Sequence, residues 1–60
     1  MLICFTKEFC REMKLNVPEG AFFWEDKDEF GEVDLPESVI ERLKRDYQKK
    51  TGKVAKTKIP

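Results

Sequence analysis

The sequence contains no histidine, only two cysteines, three glycines and three prolines, and no long apolar run. Each shortage removes a class of protein. Without His, the side chain that most often serves as general acid or base near neutral pH is missing. A structural zinc site needs four ligands, usually Cys and His. Cys4 and Cys10, with five residues between them, cannot supply it. The longest apolar runs, Met1 to Phe5 and Ala21 to Trp24, fall far short of the roughly 20 residues that span a bilayer. They are also too short for a signal-peptide core. Leu2 in second place and the lack of Cys in the last four residues give no lipidation pattern. The expectation is a cytoplasmic protein with reduced thiols and no membrane association. A Cys4–Cys10 disulfide would require an export route.

Aromatic residues are plentiful: five Phe, one Trp and one Tyr among 60 residues. That supports a compact core and argues against disorder. A chain this short buries only about 60% of the surface its unfolded form exposes, so most apolar side chains must serve the core. The reading is one domain over residues 1–52, with residues 53–60 as a basic, flexible tail.

The formal charge is zero, but the charges are segregated. Met1 to Glu37 holds four basic residues (Lys7, Arg11, Lys14, Lys27) against ten acids. Ser38 to Pro60 holds eight basic residues against two acids, Glu41 and Asp46. This split is the strongest functional signal in the chain.

The fold class expected is α+β: a small antiparallel sheet, made of a β-hairpin plus an N-terminal strand, packed against a C-terminal amphipathic helix. Leu2 to Phe5 suits a buried strand. Thr6 can cap a helix over Lys7 to Lys14, although Met13, Leu15 and Val17 alternate as in a strand. Asn16 to Gly20 is a turn around Pro18. Ala21–Glu25 and Phe30–Asp34 form the hairpin around a polar turn, Asp26 to Glu29, with Gly31 as a bulge or bend. Val39, Ile40, Leu43 and Tyr47 share one stripe of a helix over Pro36–Lys50. Asp34 and Glu37 resemble a capping box; alternatively Leu35 caps and Pro36 opens the helix. Glu41 and Arg45 stand at i, i+4, and Gly52 is a natural stop. The predicted core is Ile3, Phe5, Phe9, Phe22, Trp24, Val33, Val39, Ile40, Leu43 and Tyr47.

Three candidate sites follow. The hairpin residues Phe23, Trp24, Glu25, Asp26, Asp28 and Glu29 combine aromatics with acids and suit a protein partner. A homodimer that buries Phe23 or Trp24 is one form of that reading. The cations Arg42, Arg45, Lys49, Lys50, Lys53 and Lys56 suit the phosphates of a nucleic acid. Asp26 to Glu37 matches a calcium loop at Asp26, Asp28, Gly31, Asp34 and Glu37, but Phe30 stands where an oxygen ligand is needed. A polar hairpin leading into a helix explains that segment better, and no metal or cofactor is expected.

Catalysis is disfavoured, because no nucleophile has a partner base and 60 residues hardly build a cleft. The function expected is a non-enzymatic regulatory or adaptor module that binds a protein through its aromatic and acidic hairpin. A nucleic-acid-binding accessory role for the basic segment is the alternative. Small size and acidic clustering also suit a mimic that fills a host enzyme's nucleic-acid groove, as small inhibitory proteins of viruses do. The charge split has two explanations: the halves offset each other within the molecule, or they serve two partners.

Overall fold

The computed structural model describes residues 1–60. Strand β1 (Leu2–Thr6) leads into helix α1 (Lys7–Glu12). A 3₁₀ turn at Glu19–Ala21 precedes strands β2 (Phe23–Glu25) and β3 (Asp28–Asp34). Helix α2 (Glu37–Thr51) and strand β4 (Thr57–Lys58) complete the chain. The sheet has the order β2-β3-β1-β4, and every neighbouring pair is antiparallel. The expected α+β architecture is therefore present, with one strand more than expected.

β1 lies inside the sheet, with both faces covered. That explains why Ile3, Cys4 and Phe5 are all buried and why its sequence is a continuous apolar run. Register then assigns each side chain to a face, because residues directly opposite share one. Ile3, Phe5, Val33, Gly31, Glu29 and Trp24 belong to the first face. Leu2, Cys4, Phe30, Glu32, Phe23 and Lys58 belong to the second.

The first face carries the core. Ile3 and Phe5 pack with Phe9 and Cys10 of α1 and with Ile40 and Tyr47 of α2. The Phe5 and Phe9 rings stack with centroids 4.1 Å apart, and Phe9 meets Tyr47 at 4.7 Å. Burying such a side chain stabilises by about 1.5–3 kcal/mol.

Thr6 caps α1 as expected, accepting from the Phe9 amide at 3.2 Å. The helix ends in a Schellman motif: the Leu15 amide donates to Cys10 and the Lys14 amide to Arg11, with Lys14 left-handed at φ 56°. Gly52 stops α2 at φ 74°.

Several expectations are corrected. Pro36 is the N-cap of α2 and no side chain caps it. Asp34 instead ends β3 and accepts from the Met1 backbone nitrogen at 2.9 Å. Neither capping scheme holds, because the sheet claims Asp34. Glu41 and Arg45 form no ion pair. The hairpin turn contains only Asp26 and Lys27; Asp28 and Glu29 are strand. Ala21 lies in the 3₁₀ turn, not in a strand. Gly31 is no bulge. It sits in register opposite Phe5, and a Cβ there would stand 2.8 Å from Phe22 and 2.9 Å from Val17. Its missing side chain is what lets that loop close over β3.

The core also differs from the prediction. Val39 and Trp24 are exposed, whereas Cys4, Cys10 and Phe30 are buried. Trp24 shares a face with Phe5, but β2 is the edge strand and the core does not extend that far.

Residues 53–60 do not trail away from the domain. Ala55 packs against the core, and β4 pairs with the outer edge of β1, with Thr57 opposite Phe5 and Lys58 opposite Cys4. The physical reason is an open edge: β1 has unpaired backbone groups on the side away from β3, and the returning chain satisfies them.

Candidate protein-binding site

The site is built on the two-residue turn of the β2–β3 hairpin. Asp26 adopts φ 58°, in the left-handed region that Asp tolerates better than most side chains, and so lets the chain reverse in two residues. The turn holds Phe23 and Trp24 on opposite faces of β2. Trp24 is 71% exposed and Phe23 is 39% exposed. Phe23 leans towards Phe30, with centroids 6.3 Å apart.

The four carboxylates of the predicted site are all ion-paired, and three of them pair with residues of the supposed tail. The Lys58 ammonium lies 3.2 Å from both Glu25 and Asp26, and 5.6 Å from the centroid of the Phe30 ring. Lys56 reaches Asp28 at 3.0 Å. Lys7 meets Glu29 at 3.7 Å and Glu19 at 3.2 Å, and Arg11 also binds Glu19 at 2.7 Å. The hydrogen bonds to Asp26 and Glu25 hold the Lys58 ammonium above its ordinary pKa. The hairpin is thus a neutralised surface with projecting aromatics, not a bare acidic patch.

Beside it the second sheet face forms a shallow groove lined by Cys4, Phe23, Glu25, Glu32, Lys58 and Ile59. Glu32 makes no ion pair there. Burial, with Glu32 and Glu25 nearby, raises the Cys4 thiol pKa. Burial likewise pushes Cys10 up to about 11. Both residues are free thiols, protonated at neutral pH.

The predicted basic set divides in two. Lys50 pairs with Glu12 at 3.3 Å, Lys53 with Glu8 at 2.9 Å, and Lys56 with Asp28 at 3.0 Å. Glu8 also accepts from the Tyr47 hydroxyl at 3.2 Å, and the Lys53 bond chiefly holds its carboxyl below the usual range. Arg42, Arg45 and Lys49 form no ion pair. Their spacing of three and four residues puts them on one stripe of α2, opposite Ile40 and Tyr47.

The calcium-loop pattern is not realised. Asp28 to Asp34 is an extended strand. Alternate residues therefore point to opposite faces, and Asp26 and Glu37 stand beyond its two ends, so the set does not converge on one ion.

Lys58 is the site residue absent from the sequence-based candidates, and Lys56, expected to meet phosphates, turns instead to the hairpin's Asp28. The signal was the alternation in Ala55-Lys56-Thr57-Lys58, which is a strand period even though it is short and polar. Comparison with protein-family models, with curated proteins and with solved structures gives no match. No helix is long and apolar enough to cross a membrane.

Proposed function

We propose that the chain is a non-enzymatic regulatory or adaptor module that engages a protein partner through Trp24 and Phe23 on its hairpin. One observation carries the reading: Trp24 is 71% exposed on an edge strand of a chain whose core is small. Large rigid aromatics in such positions are typical binding anchors, and an unpaired strand edge offers main-chain hydrogen bonds to an extended partner segment. The surrounding ion pairs leave the patch near neutral, so the contact is read by shape and apolar area first. Buried, protonated thiols and the lack of His support a role without catalysis. Free thiols also suit the cytoplasm.

The test is affinity capture with tagged wild-type chain and with Trp24→Ala, with and without nuclease. Because Trp24 is exposed, the substitution changes stability by less than about 0.5 kcal/mol. Loss of a nuclease-resistant partner with a folded Trp24→Ala chain supports the reading. Retention of every partner would refute it.

A second reading has its own observation. Arg42, Arg45 and Lys49 remain free for phosphates, whereas Lys50, Lys53 and Lys56 are engaged internally. The only aromatic on α2, Tyr47, is buried, so stacking on single-stranded bases is not offered. Duplex binding that weakens with salt, and is lost on Arg42→Ala/Arg45→Ala/Lys49→Ala, would support this reading.

A further inference from the structure

We propose that the hairpin site takes a short basic strand of the pattern Lys-x-Lys from a protein partner, and that the chain's own Lys56-Thr57-Lys58 is a weakly held occupant of it. This rests on the protein-binding reading of the hairpin and names the chemistry of the partner.

The geometry is that of a ligand on a receptor. Two lysines separated by one residue point the same way along an extended segment. They meet three carboxylates, Asp28 at 3.0 Å and Glu25 and Asp26 at 3.2 Å. Between them lies an aromatic floor, Phe30, under the Lys58 ammonium at 5.6 Å. A cation over a ring is favoured by the ring's quadrupole, more so when the pair is partly desolvated. The backbone of the segment pairs with the outer edge of β1, as an added strand would.

The occupant is loosely attached. β4 is only two residues long. Its ion pairs lie at the surface, where solvent and salt screen them. Val54 and Ile59 on either side are 77% and 69% exposed and add little packing. Covalent attachment supplements these contacts, because a short tether gives an effective concentration in roughly the millimolar range.

The self-fit is also incomplete. Glu32 is opposite Cys4, next to the end of the segment, and has no cation. The chain offers Pro60 there. A partner carrying a third cation two places after the second lysine would pair the acid that the chain's own strand leaves alone.

The probe is a labelled peptide of residues 52–60 carrying Pro60→Lys, titrated by anisotropy at low salt against the full chain and against Lys56→Ala/Lys58→Ala. The double variant vacates the site and is expected to bind the peptide at least tenfold tighter than the wild-type chain. Adding Asp26→Asn/Asp28→Asn should reverse that gain. A folded double variant that binds no tighter than wild type would overturn the proposal. If the double variant does not fold, hydrogen exchange of the wild-type chain decides. Thr57 and Lys58 amides exchanging at least tenfold faster than those of Ile3 and Val33 support a detachable strand; equal rates overturn it. Trp24-dependent capture of a partner without any basic-peptide binding would defeat this inference and leave the protein-binding reading intact.

Discussion

The two faces of the sheet are closed by different means. On one, α1 and α2 bury Ile3, Phe5, Phe9, Ile40 and Tyr47 in a continuous apolar core. On the other there is no helix. Lys58 lies across Phe30, Phe23 leans against it, and ion pairs tie the cover to the hairpin. The first face owes its closure to burial of apolar area, which is strong and insensitive to salt. The second owes it to charges at the surface, which salt and pH weaken. The fold therefore has one face built to stay shut and one that can open at small cost; Phe23 lies on the second, and Trp24 projects at the uncovered edge of the first.

Substitutions should separate the faces. Phe9→Ala, in the middle of the core, should cost about 3–5 kcal/mol. In a chain of this size that loss should abolish the cooperative urea transition. A variant that still melts cooperatively near the wild-type midpoint would show that the helix side does not dominate. Gly31→Ala should cost about 1–3 kcal/mol by overpacking, because its Cβ would press on Phe22 and Val17. The same denaturation measurement reads it.

Lys58→Ala on the other face should leave the urea midpoint nearly unchanged, because its ion pairs are screened at the surface. It should nevertheless expose Cys4, which lines the groove beside Lys58 and is otherwise 3% exposed. Modification of Cys4 by a thiol reagent should accelerate several-fold, while Cys10, in the core, stays protected. Equal acceleration at both cysteines would mean that the faces open together.

Titration gives the mildest test. Lys53 and Lys58 have pKa values raised by their carboxylate partners above the ordinary 10.5. Their contribution is fully present below 10.5 and is lost as pH climbs through the raised values. Glu8 and Glu19 are held below the ordinary 4.5 by cationic partners, Lys53 first for Glu8 and Arg11 first for Glu19. Their contribution is present above 4.5 and is lost as pH falls through the lowered values. Hydrogen exchange in β4 should thus quicken at alkaline pH before the β1 and β3 amides respond. Simultaneous loss would break the distinction between the faces.

The same comparison shows how far a charge run can be read. Arg42, Arg45 and Lys49 point away from the sheet, and helical period alone predicts that. Lys53, Lys56 and Lys58 continue the run in sequence, yet they return to acids 28 to 45 residues earlier in the chain. Nothing local distinguishes the two groups. The candidate hairpin was legible because aromatic and acidic residues are adjacent in it. The cations that complete it were not, because strand pairing brought them there.

From residue order alone follow the α+β class, the apolar β1, the Thr6 cap, the α2 stripe with its Gly52 stop, and the segregation of charge. These depend on period, capping and turn chemistry, which act over a few residues. Tertiary structure decided that the last residues form a strand, that Asp34 serves the sheet and not the helix, that Trp24 faces solvent while Phe30 does not, and that most of the acids are neutralised from within. Those outcomes depend on which strand edge is open and which face is already covered, and both are set only when distant segments meet.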